Sequence, residues 1–305
     1  MSGEKWSVTG AVGAFLAVAG EFLLAERARN TVLLTVTETL RIRAAPAGGT
    51  DGGAELSGGA ELSGGAPLYG WWRPAPTGPG APGLPTAAFL HTLPFPVLLT
   101  GMTDEAAAAL ADELAAAGHE VPGVNAPEQA AWAFAETWQQ RTGMQASVER
   151  QMRLFRLAEL SWPSPMPEGN ARLASAADRD LLISWFGAFN RDVGESYVQD
   201  QGAAVDERLS YQGLTIWEAD GIPVSLASVS RAVAGMVRVG PVYTPPERRG
   251  RGFAGAVTAI VSQAARDAGA ADVLLYTDIA NPTSNALYQR LGYRPVEDRV
   301  MLRFG

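Results

Sequence analysis

The 305-residue chain contains no cysteine, and that absence closes several routes at once. It excludes disulfides, thiolate metal sites and a cysteine-bound acyl intermediate. Histidine is nearly as scarce: His91 and His119 are the only two. A histidine-built metal site or a Ser-His-Asp triad is poorly supplied, and no metal is expected. No apolar stretch reaches the ~20 residues that cross a bilayer, so no membrane partner is expected. The run Ala11–Ala19 follows Glu4 and Lys5 and is soon interrupted by Glu21. It reads as a buried helix, not as a secretory signal. Positive charge is also short, with 24 Lys and Arg against 32 Asp and Glu, a net charge of −8. Binding nucleic acid takes a broad basic surface, so that class of partner is not expected either. A reducing cytoplasm fits the missing thiols.

What is present is a soluble globular composition, 47% hydrophobic and 18% charged, over a length that suits two domains. The hexamer GGAELS at Gly52–Ser57 repeats at Gly58–Ser63 and reads as a flexible loop. Three prolines in Ser161–Asn170 mark a linker, which sets the expected domains at 1–160 and 161–305. Behind the linker, Ser175 and Asp178 have capping-box spacing ahead of a helix. Asp220-Gly221 and Ala234-Gly235 mark hairpins, the second leading into a strand over 236–244. Pro245 and Pro246 stop that strand, and an apolar helix face runs from Phe253 to Ala264. A buried strand DVLLYT, a short helix opened by Asn281-Pro282, and closing strands in YRPV and VMLRF complete the half.

The first half gives a similar order. A strand in Ser7–Thr9, helices over 11–22 and 31–42, extended segments near 68–73, 86–92 and 95–99, helices over 104–117 and 127–142 and a strand near 148–160 are expected. The fold class is therefore α/β with a mixed sheet, in two copies. Of the aromatic residues, Trp71 and Trp72 are expected to pack the surface between halves, and Trp132 and Trp138 to lie on core helix faces. His91 reads as a satisfied buried histidine.

The stretch PPERRGRGFAGA, Pro245–Ala256, crowds Arg248, Arg249 and Arg251 onto a bare backbone. The first turn of a helix exposes amides and a partial positive charge that suit a phosphate. Gly250, Gly252 and Ala254 keep the approach open, and Arg249 and Arg251 can add charge at the rim. A pyrophosphate cradle and a plain solvated basic turn both fit these residues. A Walker A loop does not, because no Lys-Ser/Thr follows, and the glycine spacing is not that of a dinucleotide fold. In the first half the corresponding stretch is TGMTDEAAAAL, whose acidic helix start would repel an anion.

The segment VYTPPERRGRGFAGAV resembles the acetyl-CoA-binding segment of the GNAT N-acetyltransferases, whose pattern is Arg/Gln-x-x-Gly-x-Gly/Ala; Arg249, Gly252 and Ala254 take those places. NPTSNALYQRLGY resembles the family's next motif, with Asn281 and Tyr288 seven apart. The match covers about 170–305, and the first half is similar only in architecture, as a degenerate copy. The resemblance implies that Arg249, Gly250, Arg251, Gly252, Phe253 and Ala254 hold the pyrophosphate of coenzyme A. It also implies that Val242, Tyr243 and Thr244 pair with the pantetheine arm, that Asn281 and Ser284 contact the cofactor, and that Tyr288 is the general acid. Helix capping explains Asn281 nearly as well. Many relatives carry a carboxylate base on the strand before the loop, but 236–244 has none; Glu218 and Asp278 are the nearest candidates by element, and a water chain is the other route. The expectation is an acyltransferase moving an acetyl group from acetyl-CoA to an unidentified primary amine by direct transfer in a ternary complex, with a homodimer open. A non-catalytic sensor or scaffold binding coenzyme A or acyl-CoA, and an acyltransferase with a longer acyl donor, stay open beside it.

Overall fold

The fold comes from a computed structural model that describes residues 5–44, 66–73, 83–194 and 200–305. The GGAELS repeat lies outside the described residues. The first series runs β1 (Lys5–Thr9), α1 (Val12–Ala25), α2 (Thr31–Ala44), β2 (Leu68–Arg73), β3 (Ala87–His91), β4 (Val97–Leu99), α3 (Asp104–Ala116), β5 (Gly123–Pro127), α4 (Glu128–Thr142) and β6 (Ala146–Leu157). The second repeats that order with β7 (Asn170–Leu173), α5 (Arg179–Asp192), α6 (Gln201–Ser210), β8 (Leu214–Ala219), β9 (Ile222–Val229), β10 (Met236–Tyr243), α7 (Phe253–Asp267), β11 (Asp272–Asp278), α8 (Pro282–Arg290) and β12 (Tyr293–Phe304).

The twelve strands among the described residues form one sheet, ordered β1-β2-β3-β4-β5-β12-β6-β11-β10-β9-β8-β7. Replacing each strand by its counterpart six places away reverses this order, so the two halves are related by an approximate twofold between β6 and β12. Each half gives its last strand to the other. β12 lies against β5, β6 against β11, and the two pair with one another along their length. YRPV and VMLRF are therefore one strand, not two, and β6 supplies the neighbour that a second closing strand would have been. A register shift between Pro295 and Glu297 interrupts β12 where proline has no N–H to give. β5, with the sequence GVNAP, was not expected as a strand: Gly, Asn and Pro are all depleted in strands, and pairing to β4 and β12 overrides that preference.

Alternate side chains along the strands feed opposite layers. Phe89 packs beneath α3 and α4, while Leu90 faces α1 and α2. The α1/α2 layer reaches across the halves to Met236 of β10 and Leu274 of β11. α7 and α8 cover the other face over Val237, Val239, Val273 and Leu275. Trp71 joins the layer shared by the halves, whereas Trp72 points into the first-half core beside Trp6, ring centroids 5.6 Å apart. Trp138 is buried as expected, but Trp132 is 42% exposed. His91 is buried, and burial above all pushes its pKa down to about 4; its Nε2 has no partner among the described residues, so the ring is neutral but not fully satisfied.

Candidate active site

β10 and β11 run parallel and pair only through Met236↔Asp272, Val237↔Val273 and Arg238↔Leu274. Beyond Arg238, β10 continues against β9 and β11 against β6, so the two strands fork. The cause lies within β10. The register against β9 shifts between Val239 and Val242, where Gly240 has φ 145 and Pro241 lacks an N–H. The opening thus begins at Val239, six residues before Pro245, the proline pair merely leading into a short 3-10 turn over Pro246–Arg248. The bulge also turns Tyr243 toward α5, where its ring packs 6.0 Å from Trp185.

The loop that follows carries Gly250 at φ 77 and Gly252 at φ 86, conformations that side chains beyond glycine disfavour. Gly252 is the N-cap of α7 and brings no capping side chain. The first helical bond runs from the Ala256 amide to the Gly252 carbonyl, 3.1 Å, and the amides of Gly250 through Gly255 meet no acceptor among the described residues. That row of unmet donors, at the positive end of a 15-residue helix, fits a diphosphate. Phe253 is buried beneath the loop and Ala254 half-buried, while Arg251 is exposed. Arg249 is engaged elsewhere: its Nε donates to the Thr244 carbonyl at 2.9 Å, its Nη2 to Asp192 at 2.5 Å, and its guanidinium lies 5.9 Å from the Tyr243 ring centre. It clamps the loop to the end of α5.

On the β11 side, Asn281 caps α8, its Oδ1 accepting from the Ser284 amide at 3.0 Å. The sequence did not single out Asn285. Its Nδ2 donates to the carbonyls of Asp278 (2.8 Å) and Asn281 (2.7 Å), and its buried Oδ1 has no partner among the described residues. Only its place one turn after Asn281 could have signalled it. Tyr288 is buried against Tyr293, centroids 6.0 Å apart at 67°, and burial pushes its pKa up to about 12. The phenol keeps its proton throughout the neutral range.

The two carboxylate candidates are not brought together. Asp278 ends β11, beside the fork, with Oδ1 accepting from the Ala280 amide at 2.7 Å. Glu218 stands on β8, with β9 and β10 between it and the fork. Arg172 donates to it at 2.7 Å and holds Asp178 in a two-bond clamp of 2.8 Å each. That clamp, with burial opposing, lowers the Asp178 pKa to about 2.

The first half has the same fork position, closed. Arg299 of β12 is buried there, and its Nη2 donates to the Leu99 carbonyl of β4 (2.8 Å) and the Asn125 carbonyl of β5 (3.0 Å). At the start of α3 the Thr103 hydroxyl accepts from the Ala106 amide, and Asp104 and Glu105 occupy the first turn.

The family model described as FR47-like protein matches residues 227–302, from within β9 into β12 and across the loop. A search of curated proteins finds no match. Among solved structures, a GCN5-related N-acetyltransferase from Sphaerobacter thermophilus is 18% identical, with a TM-score of 0.58 over 98% of this chain and 95% of its own. A Drosophila protein is 13% identical, with a TM-score of 0.55 over 78% of this chain and 79% of its own. An acetyltransferase of the GNAT family from Colwellia psychrerythraea is 10% identical, with a TM-score of 0.52 over 78% and 84%. The chain has the GNAT acetyltransferase fold, and the likeness to the Sphaerobacter structure runs through both halves.

Proposed function

We propose that the chain is an N-acetyltransferase that moves an acetyl group from acetyl-CoA to a primary amine, with 161–305 as the catalytic half and 1–160 as a structural half. The observation that carries this reading is the run of acceptor-free amides from Gly250 to Gly255, set directly beyond a strand edge that β11 has left. Amides in a ligand arm can pair with the free edge of β10 at Val242 to Thr244 as an added strand would. The thioester bound there supplies an activated acetyl carbon: the amine nitrogen forms the C–N bond as the C–S bond breaks, and the sulfur leaves with the bonding pair.

An N–H on that edge can steady negative charge on the carbonyl oxygen. Tyr288 holds its proton at Oη and is the donor for the departing sulfur. The proton lost by the amine goes to Asp278 or to water. Asp278 is the better placed of the two carboxylates, since Glu218 is held in its ion pair with Arg172. That ion pair is also what favours a second reading, a binder of coenzyme A without turnover.

The deciding measurement is thermal stabilisation by acetyl-CoA, wild type against Gly252→Glu, followed by thiol release with an amine panel. A shift in the wild type that the variant loses supports the cradle; an equal shift in both overturns it. A shift with no thiol release from acetyl-CoA or longer acyl-CoAs favours the sensor.

A further inference from the structure

On the sheet face opposite α7, α6 and the segment after it bring Arg208 and Tyr211 near Arg238 and Tyr276 at the fork. Arg238 is the last residue of β10 to pair with β11, opposite Leu274. Two residues further along β11, on the same face as Leu274, stands Tyr276. Arg238 is half-buried, and its guanidinium makes no hydrogen bond or ion pair among the described residues. The Tyr276 hydroxyl is buried and has no partner either.

Charges of both signs surround the pair: Arg299 and Glu297 lie near Tyr276, and Arg208, Arg231 and Glu207 near Tyr211. Arg208 of α6 donates only to neutral groups, the Ser228 hydroxyl at 3.0 Å and the Ala204 carbonyl at 2.9 Å. Arg231 lies over the Tyr211 ring, 4.3 Å from its centre, and donates to the Ser210 hydroxyl. Elsewhere Arg153, Arg179 and Arg299 each hold a carboxylate, and Arg172 holds two. Arg208, Arg231 and Arg238 make no ion pair among the described residues, and Arg208 lies near Arg238. Burial above all pushes the Arg238 pKa down, with Tyr276 opposing and the nearby Arg208 adding to it.

We propose that this face of the fork receives the acceptor, and that the acceptor is a compact amine bearing a carboxylate, which Arg238 and the Tyr276 hydroxyl bind. This rests on the acyl-transfer reading above. The amides of the loop serve one face of the sheet and Arg238 the other, and only at the fork is there no hydrogen-bonded strand between them. A carboxylate on Arg238, one residue below the split, leaves an amine a few bonds away in reach of the opening. A planar guanidinium fork matches a carboxylate in two parallel bonds, and Tyr276 can add a third donor.

The test is calorimetric titration of the full chain, with and without coenzyme A, using N-acetyl amino acids and their neutral amides as product mimics. At least one acid is expected to bind tenfold or more tightly than its amide. Arg238→Gln removes the preference, Arg238→Lys keeps part of it, and Tyr276→Phe lowers it by about threefold. Unliganded melting of each variant separates lost folding from lost recognition. Equal binding of acids and amides, no binding by either up to about 10 mM, or a preference that survives Arg238→Gln overturns the inference. Tighter binding of phosphoethanolamine than of every carboxylate overturns it as well. Should acetyl-CoA fail to stabilise the chain while the acid preference holds, the donor reading falls and the anion site stands.

Discussion

The molecule contains the same fork twice, and the two differ in what fills it. In the second half β10 and β11 part after Arg238, and the amides at the start of α7 meet no acceptor among the described residues. In the first half the Arg299 guanidinium ties the end of β4 to β5, and Thr103 with two acidic residues satisfies the start of α3. One fold can therefore leave this position open or close it as a joint. The choice lies in a few side chains, because backbone donors left bare by the fold must be met by side chains, water or a ligand. Arg299 belongs to β12, the strand that the second half contributes to the first.

Breaking the closed fork should have the largest effect. Arg299→Ala leaves the buried Leu99 and Asn125 carbonyls and the Glu297 carboxylate without their partner. It is expected to lower unfolding free energy by about 3–5 kcal/mol in urea titration, with acetyl-CoA affinity unchanged in the folded fraction. In the open fork, Tyr288→Phe should reduce kcat at least ~100-fold while preserving the acetyl-CoA thermal shift. Because burial sets the phenol near 12, the wild-type rate should show no alkaline fall through pH 10 from loss of this proton. An activity that drops near pH 8 would assign the acid to another group. Gly252→Glu should remove the stabilisation by acetyl-CoA, about 2.7 kcal/mol at 100 times Kd, by placing bulk and negative charge at a left-handed position. The mildest change is Thr103→Ala, which uncaps α3 and should cost about 1 kcal/mol in the same urea titration without creating an acetyl-CoA site in the first half. A second equivalent of cofactor bound by that variant would show the capping hydroxyl to be the only barrier.

The local sequence made much of this architecture legible. Asp220-Gly221 closes the β8–β9 hairpin with both residues at positive φ, and Ser175 with Asp178 forms the expected capping box. Gly250 and Gly252 mark the loop, and Asn281 the cap of α8. Legibility stopped where long-range pairing decides. β5 has few strand-forming residues, and β12 looked like two strands because Pro295 interrupts its pattern. Arg249 looked available to a phosphate until Asp192, 57 residues earlier in the chain, proved to hold it. Trp132 has helical core spacing, but the neighbouring elements leave that face of α4 open.

By itself the sequence determined a thiol-free chain, two matching runs of elements, and one glycine-rich turn feeding an apolar helix, because composition, turn chemistry and periodicity act over a few residues. The exchange of β6 and β12, the closure of one fork by Arg299, and the meeting of Arg238 with Tyr276 at the other were decided only by tertiary structure. Each joins positions tens to hundreds of residues apart, and no local preference encodes which distant strand will lie alongside.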